Sequence, residues 1–392
     1  MTSSLPLQSF LWPALSRLQS LLAVAGPRQG KTVGWLLPLL GQLADRASYS
    51  HLAPGPAPLL VVLCPGLEEG GHISSLVEEV ARGAGLEVRV LQDTAGLLPL
   101  LPTQMINGCE VLVTSPPRLS ARLAGAGSGL ERCRHLVLEA ADWLLELWPG
   151  EVSSLLAAWG EQPGGPGQLV ALAERWSPAL GQLCTGALRK RGGAVLFTSM
   201  LEAAVYGEVQ ILPTFSETEG QKDGEIKDVV EREEGRLVLC CQDTATAGHL
   251  ERLLLLHGPV VLEEGSSPAQ LSQQLEDWRT SSPAPPLLVM DAALELLPLP
   301  QGPLAVAGPL TLVHWDLPSS NRKAFSKRFR LVRAAVRNVF RPDAAVMEAT
   351  VRILLSPENA LELRTIVPLL QVTLDVNTIL VLRHISHHRR VR

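Results

Sequence analysis

The stretch LLAVAGPRQGKT, residues 21–32, predicts a strand, a phosphate-binding loop and the start of a helix. Its apolar run Leu21–Val24 is typical of a short buried strand, and the loop ends in Gly-Lys-Thr. In such a loop the backbone N–H groups bind nucleotide phosphates, the lysine reaches the β- and γ-phosphates, and the threonine hydroxyl binds Mg²⁺. The predicted cofactor-binding residues are therefore Ala25, Gly26, Pro27, Arg28, Gln29, Gly30, Lys31 and Thr32, and Thr32 is also a predicted metal ligand.

The composition favours two domains with sizeable apolar cores. The chain has 392 residues, of which 46% are hydrophobic, and its formal net charge is −5. A negative net charge gives no global attraction for nucleic acid, so any nucleic-acid surface must be local. The six cysteines show no CxxC pair or Cys/His metal spacing, which favours free thiols in a reducing compartment. Because no signal-peptide pattern or membrane-length apolar run is found, we expect a soluble cytoplasmic protein that does not bind membranes.

Short apolar runs alternate with amphipathic stretches in the first half of the chain. The candidate strands are Leu21–Ala25, Leu59–Cys64, Val88–Leu91, Val111–Thr114, Leu136–Leu138 and Ala194–Thr198. Most are apolar on both faces, as parallel strands covered by helices are, and helical patterns lie between them. This alternation predicts an α/β fold with a doubly wound parallel sheet over residues 1–215.

The second half repeats the pattern on a smaller scale. Residues 216–235 are strongly polar and charged, and they are interpreted as a linker. Strand and helix patterns resume over 236–330, which predicts a smaller α/β lobe. Residues 331–392 are assigned to a C-terminal extension that offers no recognisable chemistry.

Several motifs together resemble the DEAD-box RNA helicases over about residues 5–330. Gln8 and Trp12-Pro13 precede the loop as the family's Q motif does. Further stretches resemble the family's PTREL, TPGRL, DEAD, SAT, ATDVAARGLD and INYDLP motifs, in that order: Cys64–Glu69, Thr114–Leu119, Leu136–Leu145, Phe197–Met200, Leu287–Leu297 and Val313–Pro318. The resemblance implies two RecA-like lobes of the P-loop NTPase type, with ATP and Mg²⁺ as cofactors and RNA as a partner.

The resemblance also implies roles for individual residues. Gln8 takes the place of the glutamine that recognises adenine, and Thr114 and Arg118 take the places of residues that bind the RNA backbone. Glu139 and Asp142 take catalytic positions of the acidic motif, with Glu139 as a metal ligand. Asp142 is expected to act structurally, by bonding toward Thr198 and Ser199 at the end of an adjacent strand.

The departures from the family pattern point to weakened catalysis. Ala140 replaces the glutamate that orients the attacking water, a loss of roughly 10²–10⁴-fold for a general base. Arg28 replaces a glycine, and its Cβ is expected to strain the turn. In the second lobe Leu294–Leu297 replaces the motif with the catalytic arginine, and no stretch matches HRxGRxxR. A basic segment follows there, in which Arg328 or Arg330 is considered as a group that reaches a phosphate.

The degenerate motifs resemble those of the Yb family of Tudor-domain-containing helicase-like proteins. Two further stretches share this resemblance, DLPSSNRKAFSKRF at residues 316–329 and RILLSPENALELRTIVPLL at residues 352–370. This narrower resemblance implies a role in piRNA-mediated transposon silencing in germ cells. The implied partners are PIWI-type Argonautes and Tudor proteins, and the implied location is cytoplasmic, in perinuclear germ granules.

Three functional hypotheses therefore remain open. The first is an active ATP-dependent RNA helicase, which Gln8, Lys31 and Thr32 favour. The second is a helicase-derived scaffold that binds RNA and proteins and turns ATP over slowly or not at all, which Ala140 favours. The third is a P-loop nucleotide switch unrelated to RNA, which the ordered helicase motifs disfavour.

Overall fold

The computed structural model divides the chain into two units, Met1–Thr198 and Ser199–Arg392. It describes residues 4–50, 57–93, 109–126, 129–161, 167–232, 235–297, 308–317, 322–338 and 346–356, with four single residues between these ranges. Each unit is described by itself below.

The first unit contains a parallel sheet of seven strands in its described part. In chain order they are β1 Leu21–Val24, β2 Leu60–Leu63, β3 Val90–Asp93, β4 Val111–Thr114, β5 His135–Leu138, β6 Gln168–Ala173 and β7 Ala194–Phe197. The order across the sheet is β3-β4-β2-β5-β6-β1-β7, and all pairs are parallel. The carboxyl ends of the strands therefore meet at one edge, where side chains distant in sequence come together.

Helices alternate with these strands. They are α1 Pro6–Ser16, α2 Lys31–Ala44, α3 Leu67–Gly83, α4 Pro116–Ala126, α5 Ala141–Leu147, α6 Pro149–Gly160 and α7 Pro178–Leu183, with a single turn at Arg46–Tyr49, a π-helical segment at Cys184–Leu188 and a turn at Arg189–Arg191. Strands β1, β2, β4, β5 and β6 are buried along their whole length, because helices cover the sheet.

The second unit has a six-stranded parallel sheet in its described part. Its strands are β8 Gln210–Phe215, β9 Arg236–Cys241, β10 Val260–Leu262, β11 Leu287–Met290, β12 Leu310–His314 and β13 Ala349–Leu355, in the order β10-β11-β9-β12-β13-β8. Its helices are α8 Met200–Tyr206, α9 Glu219–Arg232, α10 Thr244–Leu253, α11 Pro268–Thr280, α12 Asp291–Leu296 and α13 Arg322–Arg328, with a single turn at Leu255–His257 and a 3₁₀ helix at Phe329–Ala335. The predicted fold class, two RecA-like α/β lobes with parallel sheets, is confirmed.

The predicted lobe boundaries differ from those in the structure. The boundary lies between Thr198 and Ser199 rather than at residue 215, because β8 pairs with β13 in the second sheet. The predicted linker 216–235 contains α9, which buries Ile226 and Val229 in the core of the second unit. The predicted extension 331–392 contributes β13 to that sheet, and its residues from 357 onward lie outside the described part.

The described residues include no helix with the length and apolarity needed to cross a membrane. All six cysteines are buried free thiols, in agreement with the prediction of free thiols.

Candidate functional site

The loop after β1 is shaped by a glycine at its last position. Gly30 precedes α2 with φ +78°, a left-handed conformation that favours glycine. A Cβ on Gly30 would lie 2.5 Å from Gln8 Nε2 and 2.7 Å from Leu5 Cδ1, so the loop and α1 leave no room for a side chain there. Arg28 also has a positive φ of +60°. The expectation that Arg28 strains the turn therefore agrees with its backbone conformation.

The Lys31 side chain folds back over the loop. Its Nζ donates to the carbonyl oxygens of Ala25 at 2.8 Å and Gly26 at 2.9 Å. Glu174, which follows β6, approaches Nζ to 3.6 Å. The Lys31 side chain is 13% exposed, whereas Glu174 is 43% exposed and its pairing is therefore weak. A cation bonded mostly to backbone carbonyls can exchange them for a phosphate.

The two predicted metal ligands bond to each other at the sheet edge. Thr32, in the first turn of α2, donates its hydroxyl to Oε1 of Glu139 at 2.6 Å. Glu139 follows β5, and its Oε2 accepts a hydrogen bond from Trp35 Nε1 at 2.7 Å. Burial raises the pKa of the Glu139 carboxyl, while the bonds from Thr32 and Trp35 act in the opposite direction.

This oxygen-rich corner fits a magnesium ion that also binds nucleotide phosphates. A hydroxyl and a carboxylate are hard oxygen ligands, and Mg²⁺ is usually bound through one or two carboxylates plus substrate phosphates. A buried carboxylate also gains from a nearby cation. Within the described residues no cluster of three or more His, Cys, Asp or Glu side chains forms an all-protein metal cage. Thr32 and Glu139 are therefore the residues that would hold Mg²⁺, which would neutralise phosphate charge there.

Gln8 lies against the loop, and its amide makes two local contacts. The side chain is fully buried; its Oε1 accepts from the Leu5 N–H at 3.0 Å, and its Nε2 donates to the Gly30 carbonyl at 3.4 Å. Gln8 thus connects the start of α1 to the loop that follows β1. Its assignment to adenine recognition stays a prediction.

The acidic motif differs from the expectation at Asp142. Its Oδ2 accepts from the backbone N–H groups of Glu174 and Arg175, both at 3.2 Å, so it bonds to the segment after β6. The expected bonds toward Thr198 and Ser199 are not the ones that it makes. Ala140 has φ +56° and precedes α5, and its methyl group offers no proton acceptor for an attacking water. A catalytic role for Glu139 or Asp142 stays a prediction.

The predicted RNA-binding side chains have structural partners. Thr114 is fully buried and donates to the Asp93 carbonyl at 3.1 Å. Arg118 pairs with the buried Asp93 carboxylate at 2.7 and 2.8 Å, and its own side chain is 15% exposed. Both residues thereby join β3, β4 and α4. Their contact with RNA stays a prediction, and it would require Arg118 to leave a buried partner.

From the sequence, Arg328 in the second unit is considered as a group that reaches a phosphate, but in the structure it bonds to carboxylates of the protein instead. Arg328 is fully buried; Nε and Nη2 form a bidentate pair with Asp291 at 2.7 and 2.8 Å, and Nη2 also contacts Asp316 Oδ1 at 2.8 Å. Burial disfavours its charge, but these bonds raise the pKa of Arg328. The suggestion that Arg328 reaches a phosphate is therefore wrong for this structure. Leu294 and Leu297, in place of the family's catalytic-arginine motif, are core residues.

Comparison with known proteins finds similarity to RNA helicases. Human TDRD12, named as an ATP-dependent RNA helicase, is 28% identical over 211 residues, which cover 52% of this chain and 18% of that protein. Human DDX28, also named as an ATP-dependent RNA helicase, is 34% identical over 140 residues, which cover 36% of this chain and 26% of the length of DDX28.

The chain is related to the DEAD-box RNA helicases. It spans about a fifth to a quarter of the length of these two relatives. The RNA helicase Prp28 from Chaetomium thermophilum, solved with ADP bound, has 16% identity and a TM-score of 0.47, covering 94% of this chain and 82% of that one. No family model matches the chain.

Sequence reasoning missed Trp35, Asp93 and the Asp291–Asp316 pair as polar partners. Trp35 follows Thr32 by three positions on α2, so the two side chains share a helix face, and this spacing was an available signal. The partners of Arg118 and Arg328 come from strand ends distant in sequence. No local pattern identifies them.

Proposed function

We propose that this chain is a DEAD-box-like core that binds ATP with Mg²⁺, binds RNA, and hydrolyses ATP slowly or not at all. The proposal rests on one observation above the others: Ala140 presents a methyl group where this family has a carboxylate that orients the attacking water. Binding is supported by the contacts of Lys31, Thr32 and Glu139 and by the left-handed conformation of Gly30.

The second unit supports weak hydrolysis as well. Arg328 donates to Asp291 and Asp316, so its guanidinium is neutralised by carboxylates instead of stabilising a transferring phosphoryl group. Arginines that act on that charge contribute about 10³–10⁵-fold to turnover in phosphoryl-transfer enzymes. We infer that nucleotide and RNA binding are weakly coupled. A non-hydrolysable ATP analogue is therefore expected to change RNA affinity less than about threefold, and an increase above about tenfold contradicts weak coupling.

The decisive experiment measures ATP binding and RNA-stimulated turnover in wild type, Lys31→Ala and Ala140→Glu. Wild type is expected to bind ATP, Lys31→Ala to lose most of that affinity, and Ala140→Glu to raise single-turnover hydrolysis about 10²-fold. Ala140→Gln is the matched control, because it has the same size and backbone conformation without the carboxylate. RNA-dependent wild-type turnover that Lys31→Ala abolishes would overturn the proposal.

That outcome would support the alternative, an active ATP-dependent RNA helicase that remodels RNA or RNA–protein complexes. The intact contacts of Lys31, Thr32 and Glu139 are the observations that favour it. A nucleotide switch unrelated to RNA is the weakest candidate, since it leaves the relation to RNA helicases unexplained.

We further propose that the chain acts in piRNA-mediated transposon silencing in germ cells, as an RNA- and protein-binding factor. The support is the match with TDRD12 and the resemblance to the Yb family. PIWI-type Argonautes and Tudor proteins are the proposed partners, and cytoplasmic germ granules the proposed location. Crosslinking and sequencing of bound RNA from germ cells tests this role, and recovery of no small RNA or transposon transcript would count against it.

A further inference from the structure

Trp35 is a buried tryptophan that contacts the candidate metal site formed by Thr32 and Glu139. It is fully buried in α2, and its Nε1 donates to Glu139 Oε2 at 2.7 Å. The other oxygen of the same carboxylate accepts from Thr32 at 2.6 Å. Two residues one helical turn apart on α2 therefore fix both oxygens of Glu139.

A glutamate needs such support more than an aspartate does. Its additional methylene adds a rotatable bond, and ordering that bond costs conformational entropy. A second donor at a fixed place selects one orientation of the carboxylate. A buried indole N–H in turn needs an acceptor, and Glu139 supplies it. The Trp35–Glu139 bond is charge-assisted when the carboxylate is ionised, which makes it stronger than a neutral bond.

The orientation has a consequence for Thr32. A hydroxyl carries one hydrogen and two acceptor lone pairs. When Glu139 Oε1 takes the hydrogen, the lone pairs of Thr32 Oγ1 are left for another partner. Rotation of Glu139 away from Thr32 would break this hydrogen bond. Neither Thr32 Oγ1 nor Glu139 Oε1 would then be held in place.

We propose that Trp35 is a positioning residue that holds Glu139 in the orientation in which it and Thr32 bind the divalent cation accompanying a nucleotide. The proposal rests on the function proposed above. Trp35 acts through its hydrogen bond to Glu139, whereas Lys31 bonds the carbonyl oxygens of the loop. Its contribution therefore belongs to the magnesium-dependent part of nucleotide binding.

The test is calorimetric titration of ATP into wild type and Trp35→Phe, with a series of Mg²⁺ concentrations and with EDTA. Phenylalanine keeps an aromatic ring and removes the N–H. Trp35→Phe is expected to raise the Mg²⁺ concentration for half-maximal binding about tenfold, the size of one lost hydrogen bond to a charged group. Affinity in EDTA is expected to stay within about twofold of wild type.

Trp159→Phe is the matched control in the same unit. Trp159 is 2% exposed and its Nε1 donates to the Cys133 carbonyl at 2.9 Å, so this variant also loses a buried indole N–H. It should leave the magnesium dependence unchanged. In a Glu139→Gln background, Trp35→Phe should add no further effect, because the two act as one unit.

The outcomes separate this inference from the proposed function. Wild type that binds no ATP overturns both. Wild type that binds, with Trp35→Phe losing equal affinity in Mg²⁺ and EDTA, overturns only the positioning role and shows general packing. If Trp35→Phe does not fold, the indole N–H resonances decide: Glu139→Gln should shift that of Trp35 and raise its exchange rate at least about tenfold, and should leave that of Trp159 unchanged. An unchanged Trp35 resonance contradicts the proposal.

Discussion

In the first unit the Lys31 ammonium donates to two backbone carbonyl oxygens, whereas in the second unit the Arg328 guanidinium donates to two carboxylates. Both cations lie near the carboxyl ends of a parallel sheet. Lys31 keeps 13% of its side chain exposed, and Arg328 keeps none. Two backbone carbonyls and a weak, exposed contact with Glu174 leave the lysine charge largely uncompensated, but Asp291 and Asp316 neutralise the arginine.

The Lys31 charge is therefore available to a ligand, whereas the Arg328 charge stabilises the fold. A cation on backbone carbonyls remains able to meet a phosphate, and its strained loop is typical of functional sites. A buried cation bonded to two carboxylates joins β11, β12 and α13 instead. The first unit is therefore expected to respond to ligands, and the second to respond to loss of its ion network.

Removing the arginine should give the largest effect on stability. Arg328→Met leaves the half-buried carboxylates of Asp291 and Asp316 without their fully buried cation, so the free energy of unfolding of the second unit should fall by about 3–5 kcal/mol. Urea denaturation combined with hydrogen exchange of β11 and β12 measures it. ATP affinity should be unchanged.

Arg232→Met is the control, because Arg232 is 78% exposed and pairs with Asp228 on its own helix. It should cost less than about 1 kcal/mol. Equal effects of the two substitutions would contradict the structural role of the Arg328 charge. A loss of ATP affinity in Arg328→Met would indicate that Arg328 binds phosphate.

Acid should destabilise the first unit through His135. Burial lowers the pKa of His135 to about 4, below its ordinary 6.5. As pH falls from 6.5 to 4, the unfolded chain takes up a proton that the folded chain does not, so the free energy of unfolding falls by about 3 kcal/mol. His135→Gln should remove this part of the pH dependence in denaturation curves measured between pH 7 and 4. An unchanged slope in that variant contradicts the assignment.

The local parts of this architecture could be predicted from the sequence. The loop 25–32 and most buried strands follow from short apolar runs and glycine positions, which are local patterns. Strand β6 was missed, because an apolar run in a buried strand has no period that separates it from a buried helix. Helix α9 was missed because its charge masked the spacing of Ile226 and Val229.

The partners of the site residues could not be predicted in the same way. Trp35 and Glu139 are 104 positions apart, and only the pairing of β1, β5 and β6 across the sheet brings them together. The same applies to β8 and β13, whose pairing moves the lobe boundary. Motif positions predict residue types at a site, but the hydrogen bonds that orient them depend on the register of distant strands.

Two histidines that are buried in the described part of the chain sharpen the comparison, because there one is hydrogen-bonded and the other is not. His135 contacts Gln168 Oε1 at 2.9 Å and the Tyr49 hydroxyl at 2.7 Å. Among the described residues neither ring nitrogen of His314 has a hydrogen-bond partner, and its ring packs against those of Phe325 and Phe329. His135→Leu should therefore destabilise the first unit by about 1–3 kcal/mol, whereas His314→Leu should be neutral or stabilise the second by about 1 kcal/mol. Thermal and urea unfolding at pH 7.5 checks both, and destabilisation by His314→Leu as large as that by His135→Leu would show that the second histidine has a partner in solution.

The smallest expected effect concerns strain beside the candidate site. Ala140 has φ +56°, where a Cβ costs roughly 1–2 kcal/mol and glycine costs little. Ala140→Gly should raise the free energy of unfolding of the first unit by about 1 kcal/mol, with ATP affinity unchanged, since the methyl group binds nothing. Ala141→Gly is the control: Ala141 is the first residue of α5 and fully buried, so the same substitution should destabilise by about 1 kcal/mol. Opposite signs at adjacent alanines would show that the backbone at Ala140 is strained, as backbone outliers at functional sites often are. Destabilisation by both would instead show that Ala140 adopts an ordinary backbone conformation in solution.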